Sequence, residues 1–156
     1  MSAIAVLAVT LTLGAGALGW LWTDAALSNA TNTLLGGLAL ARSEALTRLA
    51  PVALCARDGQ RAGHCTGSAD WSAGLVMFVD ANRDGLRGAT EALLREIAFP
   101  SGLQVRGSTA AVRFGARRGV VRSADWRLCA PGTDQAGRQV RLLPLGQRQR
   151  TATACP

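Results

Sequence analysis

The sequence lacks lysine and tyrosine and has a single histidine, so all 17 of its positively charged side chains are arginines. It also has no G-x-S-x-G motif, and its four cysteines can all be taken up in pairs. No pairing of a nucleophile with a general base is left, because the only histidine, His64, stands beside Cys65. The sequence therefore argues against an enzyme, and it predicts no catalytic residue, no cofactor-binding residue and no cofactor.

Acidic residues are scarce in the C-terminal third. Residues 1–100 carry 7 arginines and 8 acids, whereas residues 101–156 carry 10 arginines and 2 acids. The length suits one compact domain, since domains average ~150 residues. The basic C-terminal third indicates a polyanionic partner, with a solvated arginine face as the alternative.

No charged residue precedes Asp24. The uncharged apolar run Ser2 to Thr23 is long enough to cross a membrane, which takes ~20 residues. A retained membrane helix is favoured over a cleaved signal peptide, because no arginine precedes the run and Trp20 and Trp22 lie where an interfacial aromatic belt would place them. We therefore predict a transmembrane helix segment over residues 1–23.

No C-x-x-C pair occurs among the cysteines, and the lone histidine is adjacent to one of them, so zinc is disfavoured and no metal ligand is predicted. An even number of cysteines after an export-type segment instead predicts two disulfides in an oxidising compartment. Four cysteines allow three connectivities, and the sequence alone does not choose. The short glycine-rich separation favours Cys55 with Cys65, which leaves Cys129 with Cys155 by elimination.

An apolar stripe continues the helical pattern past the predicted membrane segment. Its members recur at spacings of three and four residues: Leu27, Thr31, Leu34, Leu38, Ala41 and Ala45. The spacing predicts one helix to about Leu49, with residues 24–50 as its amphipathic continuation, closed by Pro51. Residues 51–156 are predicted as a β-rich head with a basic C-terminal tail. The predicted strands are 52–56, 74–79, 93–99, 103–106, 111–114, 120–121, 126–129 and 139–143.

Three segments together carry a family resemblance: LLGGLALARSEA over residues 34–45, PVALC over 51–55, and WSAGLVMFVDAN over 71–82. As a set they resemble the GspH/FimT family of minor type IV pilins and type II secretion pseudopilins. The family's basic leader and G-F-T-L-I-E-L-M-like stretch are missing, so we expect the gene to begin upstream of Met1.

The resemblance implies an α+β, type IV pilin-like lollipop. In this fold a long N-terminal helix, half in the membrane and half amphipathic, packs on an antiparallel β-sheet head. It also implies a single-pass protein of the bacterial inner membrane with its head in the periplasm, incorporated into a pilus or pseudopilus. The implied partners are the inner membrane and other pilin or pseudopilin subunits, which contact the N-terminal helix.

The FimT branch further implies DNA capture during natural transformation, through an arginine-rich G-R-x-R-like motif near the C-terminus. The matching stretch, residues 146–150, reads GQRQR and departs from that motif by one arginine. We predict non-specific DNA binding through Arg148 and Arg150, with support from Arg138 and Arg141, because guanidinium groups suit phosphate oxygens.

A tether at Cys155 would make residues 146–154 a constrained loop that presents the tail arginines. No aromatic residue follows Trp126, so phosphate contacts rather than base stacking should dominate. The alternative function is a purely structural, GspH-like pseudopilin that initiates or caps the filament for protein secretion without binding DNA.

One stretch matches a calcium-binding loop, with DANRDG beginning at Asp80 and Glu91 at the twelfth position. A strand rather than a helix leads into it, and Arg83 and Arg87 add positive charge. Family members have a D-x-N-x-x-G hairpin connection at this place, so a structural turn is favoured over a metal site.

Overall fold

The N-terminal helix is the longest element of the protein. A computed structural model describes residues 2–115, 122–133, 136–144 and 146–155, with side chains from residue 19 onward. Helix α1 runs over Ser2–Arg48. It ends where Leu49 adopts a left-handed backbone conformation with a φ of 52°, two residues before Pro51, which disfavours helical geometry in the residue that precedes it. Among the residues whose side chains the structure describes, there is no helix that is long and apolar enough to cross a membrane.

The head is built from antiparallel strands. In the described residues these are β1 (Val52–Ala56), β2 (Gly74–Val79), β3 (Leu93–Ala98), β4 (Gln104–Gly107), β5 (Ala111–Phe114), β6 (Ala124–Cys129), β7 (Gly137–Leu142) and β8 (Arg148–Thr153). They form a first sheet in the order β3-β2-β1-β5 and a second sheet in the order β4-β6-β7-β8. The α+β pilin-like fold expected from the family resemblance is confirmed.

Most of the predicted elements are present within a few residues of their predicted ends. The helix ends one residue before the predicted limit, and seven of the predicted strands correspond to β1 through β7. The predicted strand at residues 120–121 lies outside the described residues. The sequence predicts no strand at the position of β8, because it predicts a constrained loop for the tail.

The apolar stripe of α1 is the side of the helix that faces the head. All six stripe residues are at most 1% exposed, and the five apolar ones belong to one core cluster that also contains residues of both sheets. The polar member, Thr31, donates its hydroxyl hydrogen bond to the carbonyl oxygen of Leu27 at 2.7 Å, so no polar group of its side chain is left unpaired in the core. The sequence predicts that filament partners also meet this stripe from Leu27 to Ala45, but in the structure the head covers all six of its residues.

Strands β1 and β2 of the first sheet are buried on both faces. The side chains of Val52 and Leu54 on β1 lie in the core beneath the helix. On the opposite face, Ala53 and Cys55 form a smaller apolar cluster that also includes residues of β2. Burial on both sides explains why β1 and β2 read as continuous apolar runs instead of alternating patterns.

The segment just before β2 joins the two sheets. The backbone amide of Trp71 donates to the carbonyl oxygen of Val105 on β4 at 2.8 Å. The indole rings of Trp71 and Trp126 meet edge to face with centroids 5.5 Å apart, and Trp71 Nε1 donates to the carbonyl oxygen of Thr109 at 2.9 Å. These contacts hold one edge of the second sheet against the loop that leads into the first.

Both disulfides form in the predicted pairing, the first favoured by its short loop and the second following by elimination. Cys55 is bonded to Cys65, and Cys129 is bonded to Cys155. The second bond passes over β7 at Gly137, where an added Cβ would lie 2.5 Å from Cys155 Sγ. The absence of a side chain at Gly137 is what allows the end of the chain to be fastened across β7 to β6.

Candidate functional site

The basic C-terminal tail is a strand and not the constrained loop that the sequence predicts. Strand β8 pairs with β7 in antiparallel register, with Arg148 opposite Leu142 and Arg150 opposite Val140. It is the edge strand of the second sheet. Backbone pairing along β7, together with the disulfide at Cys155, gives the tail arginines fixed positions.

Helix α1 supports the turn that leads into β8. Gly146 has a φ of 77°, which favours glycine. An added Cβ at this position would lie 2.5 Å from a guanidinium nitrogen of Arg42, which is a residue of α1. The Gly146 amide donates to the carbonyl oxygen of Leu143 at 2.8 Å. The helix and the basic hairpin are thus in direct contact at this turn.

Arg148 and Arg150 lie on the helix-facing side of the second sheet. Residues directly opposite each other on paired strands share a face, and their partners Leu142 and Val140 are buried under the helix. Arg148 Nη1 donates to the carbonyl oxygen of Leu35 at 3.3 Å. Arg150 is exposed, and within the described part of the chain its side chain makes no hydrogen bond or ion pair.

The other two predicted DNA-binding arginines have different surroundings. Arg138 shares the helix-facing side, but its Nη2 lies 2.7 Å from Asp24 Oδ1 in an ion pair with α1. Arg141 is exposed on the opposite face, across from Gln149. The structure therefore brings Arg148 and Arg150 together, fastens Arg138 to the helix, and separates Arg141 from all three.

Arg127 is an exposed arginine that is not among the residues predicted from the sequence. It lies on the outer face of the second sheet, opposite Gln139 on β7, and diagonal neighbours on such a face are about 7–8 Å apart, which places it near Arg141. The alternating pattern of the sequence could have indicated this exposure, because the flanking side chains of Trp126 and Leu128 point into the core.

The loop that matches a calcium site has its carboxylate oxygens engaged by the protein. Asp80 is fully buried, and its Oδ2 lies 2.7 Å from Arg113 Nε as an ion pair without hydrogen-bond geometry. Glu91 Oε1 accepts a hydrogen bond from the Ala81 amide at 2.9 Å. Its Oε2 accepts one from the Gly88 amide, also at 2.9 Å.

These contacts stabilise the loop as a connection between two strands of a hairpin. Arg113 supplies the positive charge that a bound cation would bring to Asp80, and backbone amides take the lone pairs of Glu91. Nowhere in the described residues do three or more His, Cys, Asp or Glu side chains form a group that could hold a metal ion. The geometry fits the structural turn that was favoured from the sequence.

The side of α1 opposite the buried stripe is open and uncharged over about five turns, before the exposed Glu44–Arg48 ion pair near the end of the helix. We call it the outer helix face and define it by its exposed residues Ala25, Asn29, Asn32, Gly36 and Ser43. An added Cβ at Gly36 would meet no atom within 4 Å, whereas one at Gly37 would lie 3.1 Å from the Leu75 side chain. Gly36 therefore lies on the open side of the helix, and its neighbour Gly37 lies on the side that packs on the head.

A long helix with one side buried against a β-sheet head, and with its other side small and uncharged, defines a pilin-like subunit. The family model described as "Type II transport protein GspH" matches residues 30–146. The chain belongs to this GspH/FimT family of minor pilins and pseudopilins.

Among solved structures, the chain is similar to the type IV minor pilin FimU of Pseudomonas aeruginosa strain PAO1 in two crystal forms. With one form the identity is 20%, the match covers 80% of this chain and 91% of FimU, and the TM-score is 0.58. With the other form the identity is again 20%, the coverage is 79% and 86%, and the TM-score is 0.58. At this identity the likeness concerns the fold. No curated protein matches the sequence.

Proposed function

We propose that this protein is a minor subunit that packs through its outer helix face against the helices of other pilin or pseudopilin subunits. The observation that carries this proposal is the absence of charge on the outer helix face, with Gly36 near its middle. Small residues let helix backbones approach closely, which favours helix association inside and near a membrane. The proposed role is structural, in a type IV pilus or a type II secretion filament, and includes no catalysis.

In this proposal residues 1–23 anchor the chain in the inner membrane, residues 24–50 continue the helix, and residues 51–156 form a periplasmic head. The support comes from the uncharged run before Asp24 and from Trp20 and Trp22, which are 58% and 75% exposed. Two disulfides suit the oxidising periplasm.

Helix packing is tested by placing a charge on the outer helix face of the full-length chain. We expect Gly36→Arg to keep the thermal stability of the wild-type protein, because the added side chain meets no atom of the fold. The same variant should lose co-purification with the pilins of its host cell. The matched control is Gln104→Arg on the exposed outer face of β4, which should retain its partners. Equal co-purification of both variants would contradict the proposal.

We further propose that Arg148 and Arg150 bind the phosphates of DNA without sequence preference. They are exposed on an edge strand, and residues 138–150 contain no acid. The edge position leaves the guanidinium groups accessible from the side of the sheet. The purely structural pseudopilin is the competing function, in which the same arginines form only a solvated edge.

DNA binding is tested with the full-length chain in detergent and a labelled duplex. Removing two phosphate contacts in the Arg148→Gln/Arg150→Gln variant should weaken binding and reduce the slope of log K against log salt by about 2. The charge-matched control is Arg83→Gln/Arg95→Gln, two exposed arginines that lie outside the second sheet. Equal affinity of both double variants at low salt would favour the purely structural role.

A further inference from the structure

A cavity of about 580 Å³ lies between the helix and the connection from β6 to β7. Its lining includes Trp20, Thr23 and Asp24 from α1 and Thr133, Ala136 and Arg138 from the head. It belongs neither to the outer helix face nor to the tail arginines, so the proposed assembly and DNA-binding roles leave it unexplained.

The cavity contains one positive and one negative group, held side by side. Arg138 Nη2 lies 2.7 Å from Asp24 Oδ1, and Arg138 Nη1 donates to the carbonyl oxygen of Ala136 at 3.0 Å. A guanidinium has five N–H donors, and these contacts use two of them. The Asp24 side chain is 44% exposed, so its carboxylate can accept a further donor from a ligand.

The position of the cavity along the chain indicates what reaches it. Asp24 is the first charged residue after the uncharged run, and Trp20 and Trp22 expose large aromatic surfaces immediately before it. Tryptophan side chains are enriched at the depth of lipid headgroups. This step rests on the proposed membrane anchoring, which places residues 19–24 at the headgroup layer.

We infer that the cavity binds the headgroup of an ethanolamine phospholipid, with its phosphate on Arg138 and its ammonium on Asp24. A guanidinium fork suits phosphate oxygens, and a primary ammonium donates hydrogen bonds to a carboxylate. A choline headgroup has no N–H to donate. A glycerol headgroup has no cation for Asp24, so its phosphate charge stays unbalanced beside the carboxylate.

The test uses the full-length chain reconstituted in vesicles with equal amounts of ethanolamine, choline and glycerol phospholipids. After extraction in mild detergent, native mass spectrometry counts the lipids that the protein retains. Ethanolamine lipid should be enriched roughly fivefold over the other two, the size expected for one added charge-assisted contact. Asp24→Asn should abolish the enrichment. Arg138→Gln should lower the retention of all three lipids, because each carries the phosphate that Arg138 binds. Arg138→Lys, which keeps the charge, and Arg150→Gln, which lies outside the cavity lining, should retain both the lipids and the enrichment.

Equal retention of the three lipids by the wild-type chain would overturn the inference, as would enrichment that survives Asp24→Asn or lipid retention that survives Arg138→Gln unchanged. Vesicle flotation separates this result from a failure of the anchoring proposal. A chain that floats with vesicles but shows no lipid preference contradicts only the headgroup site, whereas a chain that does not float contradicts the anchoring. Soluble glycerophosphoethanolamine should compete poorly, and its binding without lipid enrichment would contradict a membrane source.

Discussion

At the scale of the residue, Gly146 has two reasons to be glycine, and they can be separated. Its φ is 77°, and the Arg42 guanidinium occupies the space of a Cβ. Gly132 has a similar φ of 75° but no atom within 4 Å of an added Cβ. An alanine at Gly132 therefore introduces backbone strain alone, whereas an alanine at Gly146 introduces the same strain together with a steric conflict.

We predict that Gly146→Ala lowers the free energy of unfolding by about 2–3 kcal/mol, because left-handed geometry costs about 1–2 kcal/mol and Arg42 must also move. The control Gly132→Ala should lose only about 1 kcal/mol. Urea denaturation of the full-length chain measures both values. Equal losses would show that Arg42 does not support the turn.

Glu91 holds its hairpin loop by accepting backbone amides on both carboxylate oxygens. We predict that Glu91→Gln lowers the free energy of unfolding by about 1–3 kcal/mol, since glutamine retains one acceptor oxygen and loses the charge. The control is Glu44→Gln in the exposed ion pair on the helix. This change should lower the free energy of unfolding by less than about 0.5 kcal/mol.

Thermal unfolding with and without millimolar calcium completes this test. We expect no calcium-dependent change in the Tm of the wild-type chain, because Arg113 and backbone amides already occupy the carboxylates of the loop. A rise in Tm that Glu91→Gln abolishes would restore the calcium-site hypothesis.

At the scale of the element, β8 depends on its pairing with β7 and on the disulfide at Cys155. Its residues are exposed almost throughout, so little apolar burial contributes to its stability. The Cys129–Cys155 bond joins positions 26 residues apart, whereas Cys55–Cys65 joins positions 10 apart and lies beside the buried cluster of the first sheet.

We predict that Cys129→Ala/Cys155→Ala lowers the free energy of unfolding by roughly 3 kcal/mol and increases hydrogen exchange first in β8. The amides of β6 should keep their protection. Removal of the Cys55–Cys65 bond by the corresponding double alanine variant should leave β8 exchange unchanged. Unchanged β8 exchange after loss of the Cys129–Cys155 bond, or equally fast β8 exchange after loss of the Cys55–Cys65 bond, would show that the tail is not held by its own disulfide.

At the scale of the whole molecule, Asp70 joins the two sheets. Its Oδ1 accepts the hydroxyl hydrogen bond of Ser72 at 2.6 Å, and its Oδ2 lies 3.0 Å from Arg106 Nη1 on β4. The Ser72 hydroxyl lowers the pKa of Asp70 most, while partial burial opposes this shift and Arg106 adds a smaller lowering. The folded state therefore stabilises the ionised form of the Asp70 carboxylate.

The sign of the pH dependence follows from that lowered pKa. The contribution of Asp70 to stability is fully present above its unfolded pKa, which is near 3.8, and is lost as the pH falls through the lower folded value. We predict that Ser72→Ala raises the pKa of Asp70 toward 3.8, measured by NMR titration of the carboxyl group. Arg106→Gln should raise it less. A larger effect from Arg106→Gln would contradict the order of causes.

How much of the molecule could be predicted depends on whether the signal is local. The buried stripe from Leu27 to Ala45 is visible in the sequence because helical periodicity is a property of neighbouring residues. Strands β1 and β2 are visible as short apolar runs. Strand β8 was missed because its polar residues bury no face, so only the pairing with β7 makes it a strand.

The sequence by itself determined the long helix, its buried side, most of the strands and, through three motifs, the family. Tertiary structure decided which arginines share a surface, because register with β7 places Arg148 and Arg150 on the helix-facing side and Arg141 on the other. It also brought Asp24 to Arg138, 114 residues away along the chain. Periodicity reports the face of a residue within its own element, but contacts between distant segments depend on how the sheets and the helix pack together.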